Sequence, residues 1–334
     1  MSQHMSWSPE QAFDDQLTAV NWRPATSEPA QRRLAPITTN RSFAGRYWLE
    51  ACIGQGGLAT IYRATDLRST DQRRLVALKI ADAPGLTARI RMAMLEREAT
   101  CLRGFNHPAL PTLIGSGQDK GWPFLALPLV IGETLADALR RLAPRGLGAE
   151  RSFEILLHLV DAVNHIHSLG LVHSDIKTSN ILLLPDGSLK LIDFSSARWC
   201  GEAAVPNGAT EKDNSESWPI SALFAAPEQF DGQPADPADD VFALGVLAHI
   251  LLVGRHPFNR LDSRAARRLG LPPRMPEGFP RHQWEAILQA LAFSRAKRFA
   301  TPADFMSRLS TPRPIDACRN ALSATMRLLR KGSA

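Results

Sequence analysis

The run from His173 to Ser195 constrains this chain more than any other part of it. It opens with His173-Ser174-Asp175-Ile176-Lys177-Thr178-Ser179-Asn180 and closes with Leu191-Ile192-Asp193-Phe194-Ser195. Between them lie two short apolar segments, Ile181–Leu184 and Leu189–Ile192, which read as strands. Pro185-Asp186-Gly187-Ser188 joins the two, and each residue suits a turn: proline presets φ, aspartate bonds its own backbone, and glycine accepts positive φ. Two carboxylates, an ammonium and a side-chain amide therefore stand in a set order around a pair of strands. Taken alone, the run could also be a surface loop rich in hydrogen-bonding residues.

The rest of the chain divides by texture. Residues 1–43 are rich in Ser, Pro, Ala and Thr with no apolar period, and read as a flexible N-terminal arm. From Arg46 the pattern alternates: strands are expected at residues 47–53, 58–64, 73–80, 112–117 and 122–127. A helix is expected over about 87–102, where Ile90, Met94, Leu95 and Leu102 share a face. After Gly132 the pattern becomes helical, over 135–142, 153–169, 239–252 and 283–292, with Gly170 as a stop signal. A small β-rich lobe followed by a larger helical one gives an α+β class.

Two further motifs lie in the β-rich half. Gly54-Gln55-Gly56-Gly57-Leu58-Ala59 is a glycine-rich loop between strands, so it is not a loop of the Walker type, which opens a helix. Lys79 lies inside Val76-Ala77-Leu78-Lys79-Ile80, where an unpaired ammonium would be costly to bury. Glu98 is the best partner and Glu96 a competitor, although an edge-strand lysine pointing to water would leave the same pattern. With all these motifs in this order over most of the chain, the sequence resembles a bacterial serine/threonine protein kinase of the eukaryotic-like type, without the usual membrane span.

The resemblance implies the bilobal protein-kinase fold over about 44–312, with an N-lobe of about 44–128, a C-lobe of about 131–312 and a basic helical tail at 313–334. It implies ATP and Mg2+ as cofactors, with Mn2+ as an alternative metal. Ile53, Gly54, Gly56 and Gly57 would lie against the nucleotide, Ile61, Ala77 and Leu182 would sandwich adenine, and Lys79, held by Glu98, would contact phosphate. In the hinge Leu127-Pro128-Leu129-Val130, the Pro128 carbonyl and the Val130 N–H would meet the adenine edge. Asp175 matches the aspartate that orients the acceptor hydroxyl, and Lys177 the lysine that neutralises the γ-phosphate and favours Ser/Thr acceptors. Asn180 and Asp193 match the metal ligands, an amide and a carboxylate that suit a hard cation. Ser221 matches the small hydroxyl residue that contacts the catalytic pair. Ala226-Pro227-Glu228 matches the end of the activation segment with Arg298 as its partner, and Asp240 matches the brace of the catalytic loop. Leu102, Leu113, His173 and Phe194 would stack across the lobes, although each also reads as ordinary core.

The chain departs from the family pattern twice. Ser174 replaces the arginine that grips a phosphorylated activation loop, and Ser195 replaces a glycine after Phe194. Thr210, Ser215 and Ser217 offer hydroxyls in the polar stretch 198–220, which reads either as a phosphorylated segment or as a plain solvated loop. The arginine-rich stretch 255–281 reads first as a solvated face, with docking of an acidic substrate as the lesser alternative.

Composition bounds the partners. The chain has 334 residues, 44% of them hydrophobic, enough for a substantial core. A net charge of +6 suits anionic partners such as ATP but is too diffuse to indicate nucleic-acid binding. Four scattered cysteines form no disulfide framework, and no apolar run reaches the roughly 20 residues of a membrane span, so a cytoplasmic setting is expected. Protein substrates with Ser/Thr acceptors, and a matching protein phosphatase, are the implied partners. The rivals are a pseudokinase or nucleotide-binding scaffold on the same fold, and a small-molecule kinase; intact Lys79, Asp175, Asn180 and Asp193 weigh against the first.

Overall fold

The computed structural model describes residues 37–56, 58–69, 75–142, 147–202 and 222–310. Gly57, Thr210, Ser215, Ser217, Ser221, the arm up to residue 36 and the tail from residue 311 lie outside the described residues.

Six strands form one sheet in the order β1-β2-β3-β4-β6-β5: Arg41–Phe43 (β1), Tyr47–Gln55 (β2), Thr60–Asp66 (β3), Leu75–Ile80 (β4), Gly115–Asp119 (β5) and Trp122–Pro128 (β6). β1 lies before the expected domain boundary at residue 44. It pairs antiparallel with β2 and buries Phe43 completely, so the fold starts earlier than composition suggests. Alternation sets the two faces of the sheet. Val76, Leu78 and Ile80 point into a small core with Phe43, Tyr47, Tyr62 and Phe124, where Phe43 and Tyr47 meet the Phe124 ring edge-on at 5.4 and 5.6 Å. Ala77 and Lys79 then take the opposite face, and Ile61, in register with Lys79, shares it.

Ala88–Arg103 (α1) packs against β6 on that second face. Thr87 caps it, accepting the N–H of Ile90 at 3.2 Å. The chain then leaves the sheet at Pro128 and passes Gly132, where a Cβ would come within 2.5 Å of the Leu183 carbonyl oxygen, so only glycine fits that crossing.

Beyond it lie Glu133–Thr134 (β7), Leu135–Leu142 (α2), Ala149–Ser168 (α3), Leu171–Val172 (β8), Ile181–Leu183 (β9), Leu189–Leu191 (β10) and Arg198–Trp199 (β11). β10, β9 and β7 form a three-stranded sheet, and β11 pairs with β8. The turn between β9 and β10 behaves as its residues require: Gly187 has φ +87°, and Asp186 Oδ1 accepts from the Ser188 N–H at 2.9 Å. The helical lobe is completed by Pro227–Phe230 (α4), Pro237–Val253 (α5), Ser263–Arg268 (α6), Arg281–Ala290 (α7) and Pro302–Ser310 (α8).

α5 is the central helix. Asp236 caps it, Pro237 takes the first position, and Gly254 ends it with φ +79°. Almost every residue from Ala238 to Leu251 is buried, because α3, α7 and α8 enclose it. This explains its all-round apolar sequence: no helix among the described residues is long and apolar enough to cross a membrane.

Candidate active site

The lysine of β4 and the acids around it are the electrostatic centre of the site. Lys79 Nζ donates to Glu98 Oε1 at 2.8 Å and to Asp193 Oδ1 at 2.7 Å. Glu98 is buried on α1 while Glu96 faces solvent, which settles the choice between them. Burial opposes the charge on Lys79, but the two carboxylates outweigh it and raise its pKa above the usual lysine range. Burial likewise pushes Asp193 up, yet the Lys79 charge and hydrogen bond prevail and hold it well below the usual carboxylate range. Glu98 moves the other way, because its complete burial exceeds what one shared ammonium returns.

Asp175, Lys177 and Asn180 form the second group. Asp175 Oδ2 accepts from Lys177 Nζ at 2.8 Å and from Asn180 Nδ2 at 3.2 Å, and the Asn180 amide also donates to the Asp175 carbonyl at 3.0 Å. Asp175 Oδ1 is buried with no hydrogen-bond partner among the described residues. The carbonyl of Asn180 accepts from the Ile192 N–H at 2.8 Å, so the strand pair holds Asn180 close to the chain entering Asp193.

The loop carrying Asp175 is held from below. Asp240, buried on α5, accepts from the N–H groups of His173 and Ser174, each at 2.9 Å, and lies 2.9 Å from His167 Nε2. Burial would raise its pKa, but these partners lower it, so it carries the charge that grips the loop. Ser174 and Asp193 both have φ +65°, a backbone state that costs about 1–3 kcal/mol for a residue other than glycine. Ser195 is not among the positive-φ residues, so serine sits there without strain.

Phe194 links the lobes. Its ring lies 4.6 Å from Phe105 and 4.6 Å from His173, centroid to centroid. Leu102 is buried and Leu113 packs against the same core, so the four expected stacking residues share one apolar cluster or its rim, His173 through its ring contact. Phe105 was not anticipated; its place just beyond α1 is the only signal it gives.

Of the remaining expected residues, Ile61 and Ala77 share the Lys79 face, whereas Pro128 is in register with Val76 on the other face. Gly54 pairs with Ile61 across β2 and β3, and the Gly56 N–H closes the loop on the Ala59 carbonyl at 2.9 Å. Ile61, Ala77 and Leu182 are each half-buried, Ile53 is exposed, Pro128 ends β6 in an exposed position, and Val130 is half-buried. Glu228 meets the fully buried Arg298 at 2.7 Å. Gln229, not singled out from sequence, donates to the Ser174 carbonyl at 2.8 Å while its Oε1 accepts from the Ala226 N–H at 2.9 Å. A glutamine at the third position of a helix start is the signal that could have drawn attention to it. Part of the arginine-rich stretch is used internally: Arg264 stacks 4.3 Å over Phe230 and Arg281 pairs with Glu285.

A family model described as the protein kinase domain matches residues 47–299. The chain belongs to the protein kinase family. It is 30% identical over 285 residues to the probable serine/threonine-protein kinase PknB of Bifidobacterium longum, covering 80% of this chain and 39% of that protein. It is 32% identical over 265 residues to the serine/threonine-protein kinase PknL of Mycobacterium bovis, covering 76% of this chain and 62% of that one. The chain thus spans less than two thirds of these relatives' length. The crystal structure of the Mycobacterium tuberculosis PknI kinase domain superposes with a TM-score of 0.61 at 20% identity, covering 82% of this chain and 98% of that one. At that identity the likeness concerns the fold.

Proposed function

We propose that this kinase-family chain transfers the γ-phosphoryl group of ATP to serine or threonine hydroxyls of protein substrates. The observation that carries the reading is Asp175: one oxygen is held by Lys177 and Asn180, and the other is buried without a hydrogen-bond partner among the described residues, on a loop fixed by Asp240. A carboxylate prepared in this way suits an incoming hydroxyl. The hydroxyl oxygen forms the new bond to the γ-phosphorus as the bond to the β–γ bridging oxygen breaks, ADP departs, and the hydroxyl proton passes to Asp175 Oδ1. Lys177 neutralises charge on the transferred group, and Lys79, kept cationic by its acids, binds phosphate oxygens of the donor.

Asn180 and Asp193 fit a divalent cation, since they offer an amide oxygen and a fully ionised carboxylate, hard donors of the kind Mg2+ or Mn2+ takes. When bound, such an ion supplies charge neutralisation at the phosphate oxygens. Catalysis then consists mainly of positioning and electrostatics. A cytoplasmic setting suits the use of ATP, and a phosphatase that hydrolyses the product phosphoester back to the hydroxyl, releasing inorganic phosphate, is the matching partner.

The test is transfer from radiolabelled ATP with Mg2+, followed by phosphoamino-acid analysis. We expect phosphoserine or phosphothreonine, and a loss of roughly a hundredfold or more in Asp193→Ala and in Lys79→Met, both folded. Predominant phosphotyrosine would refute the residue class, and wild-type rates in both variants would refute the site.

A further inference from the structure

We propose that Arg97 and Glu202 are a positioning pair that holds α1, and with it Glu98 and Lys79, in the arrangement phosphoryl transfer requires. Glu202 acts as a built-in anion in a chain whose Ser174 leaves no arginine there to bind a loop phosphate. The inference rests on the kinase reading and adds what fixes its helix.

Arg97 directly precedes Glu98 on α1. Its Nε donates to the Ala197 carbonyl at 3.0 Å, and its two terminal nitrogens engage both oxygens of Glu202, Nη1 to Oε1 at 2.6 Å and Nη2 to Oε2. A guanidinium fork on a carboxylate is directional as well as charged, so it fixes orientation better than a point charge would. Both side chains are largely shielded, at 20% and 23% exposure, which limits screening by solvent.

Glu202 is anchored on the other side. Its Oε2 also accepts from the Trp199 N–H at 2.9 Å, and its carbonyl accepts from the Ala235 N–H at 2.9 Å. The Gly201 N–H donates to the Ala235 carbonyl at 2.8 Å, and Ala235 immediately precedes Asp236, the cap of α5. The connection therefore runs from α1 through Arg97 and Glu202 to the start of α5. That same helix carries Asp240, which grips the loop of Asp175. One rigid element thus references both halves of the site: Asp175 from the large lobe and the Glu98–Lys79 pair from the small one.

The surrounding charges agree with this role. Arg198, half-buried on β11, places its Nε 3.5 Å from Ser174 Oγ. Burial lowers its pKa, and Asp239, Glu202 and Asp240 are the charges that oppose the shift. Hydrogen bonding to Arg97 in turn holds Glu202 below the usual carboxylate range. Arg97 is the cation bonded to Glu202, and the Arg198 charge adds a weaker, unbonded attraction that lowers the Glu202 pKa further.

The experiment compares wild type, Glu202→Gln, Arg97→Gln and the exchanged pair Arg97→Glu/Glu202→Arg, all treated with phosphatase. Initial phosphoryl transfer, binding of fluorescent ADP with Mg2+, amide hydrogen exchange over residues 88–103 and melting temperature are measured. We expect each single variant to lose roughly tenfold in rate, equivalent to about 1.4 kcal/mol of barrier. α1 should exchange faster while the melting temperature changes little, and the exchanged pair should recover most of both. Wild-type rate and wild-type exchange in the folded single variants would overturn the proposal, as would an exchanged pair that folds but recovers neither. Should Glu202→Gln fail to fold, Glu202→Asp, which keeps the charge and shortens the reach, is scored in the same way. If wild type transfers no phosphoryl group, the kinase reading fails, whereas α1 exchange in Glu202→Gln still judges the pair.

Discussion

Replacing Asp240 with asparagine tests whether one buried carboxylate organises the catalytic loop. Three donors converge on it, the N–H groups of His173 and Ser174 and the His167 ring, each at 2.9 Å. Asparagine keeps the volume but offers one acceptor oxygen, and its NH2 group must face a donor. A hydrogen bond to a charged group contributes about 1.5–3 kcal/mol, so losing at least one predicts a destabilisation of about 2–4 kcal/mol. The strain at Ser174 works in the same direction, because its positive φ persists only while neighbours enforce it. Asp175 follows directly, and a shift of about 1 Å in a catalytic group can cost roughly a hundredfold in rate. Urea unfolding reports the first quantity, and steady-state transfer at saturating ATP the second. Binding of fluorescent ADP with Mg2+ should stay within a few-fold, since Lys79 and Glu98 do not touch Asp240. A variant with wild-type midpoint and with kcat within threefold would refute the reasoning.

Other outcomes follow from the same contacts. Arg298→Met strands Glu228 beside a buried apolar surface and should cost about 3–5 kcal/mol in chemical denaturation, with much of it recovered when Glu228→Leu is added. His249, buried with Nδ1 2.7 Å from the Arg255 carbonyl oxygen, has its pKa lowered by burial from 6.5 to about 4. Its neutral form is the one folding favours, so the stability it contributes is full above pH 6.5 and falls as pH drops toward 4, by up to about 3 kcal/mol. His249→Gln should be less stable at pH 7 but lose that part of the slope in a pH series of unfolding midpoints. Replacing Thr210, Ser215 and Ser217 together with alanine should leave transfer within a few-fold of wild type. A loss of about a hundredfold, roughly 2.7 kcal/mol of barrier, would show that a loop phosphate is needed after all.

Local chemistry made much of the architecture legible. The apolar run Val76–Ile80 read as a strand with Lys79 inside it, turn residues closed β9 onto β10, and Gly170 marked the end of α3. The order of charged motifs carried the family assignment, because each motif is contiguous and needs no knowledge of distant partners. Short pairings escaped: β1, β8 and β11 have two or three residues each, too few for a period to register, and exist because longer neighbours supply a pairing edge.

The sequence by itself determined the main charged candidates for the site and the longer strands and helices, since both depend on side-chain chemistry and short-range spacing. It could nominate both Glu96 and Glu98, and only the facing of α1 decided between them. The second partner of Lys79 lies 114 positions away at Asp193, and Arg97 meets Glu202 across 105. Gln229 reaches Ser174 across 55. No local pattern encodes such meetings. They arise when the lobes pack around Phe194 and α5, and burial then forces each charged group to take whichever partner the packing brings within hydrogen-bonding distance.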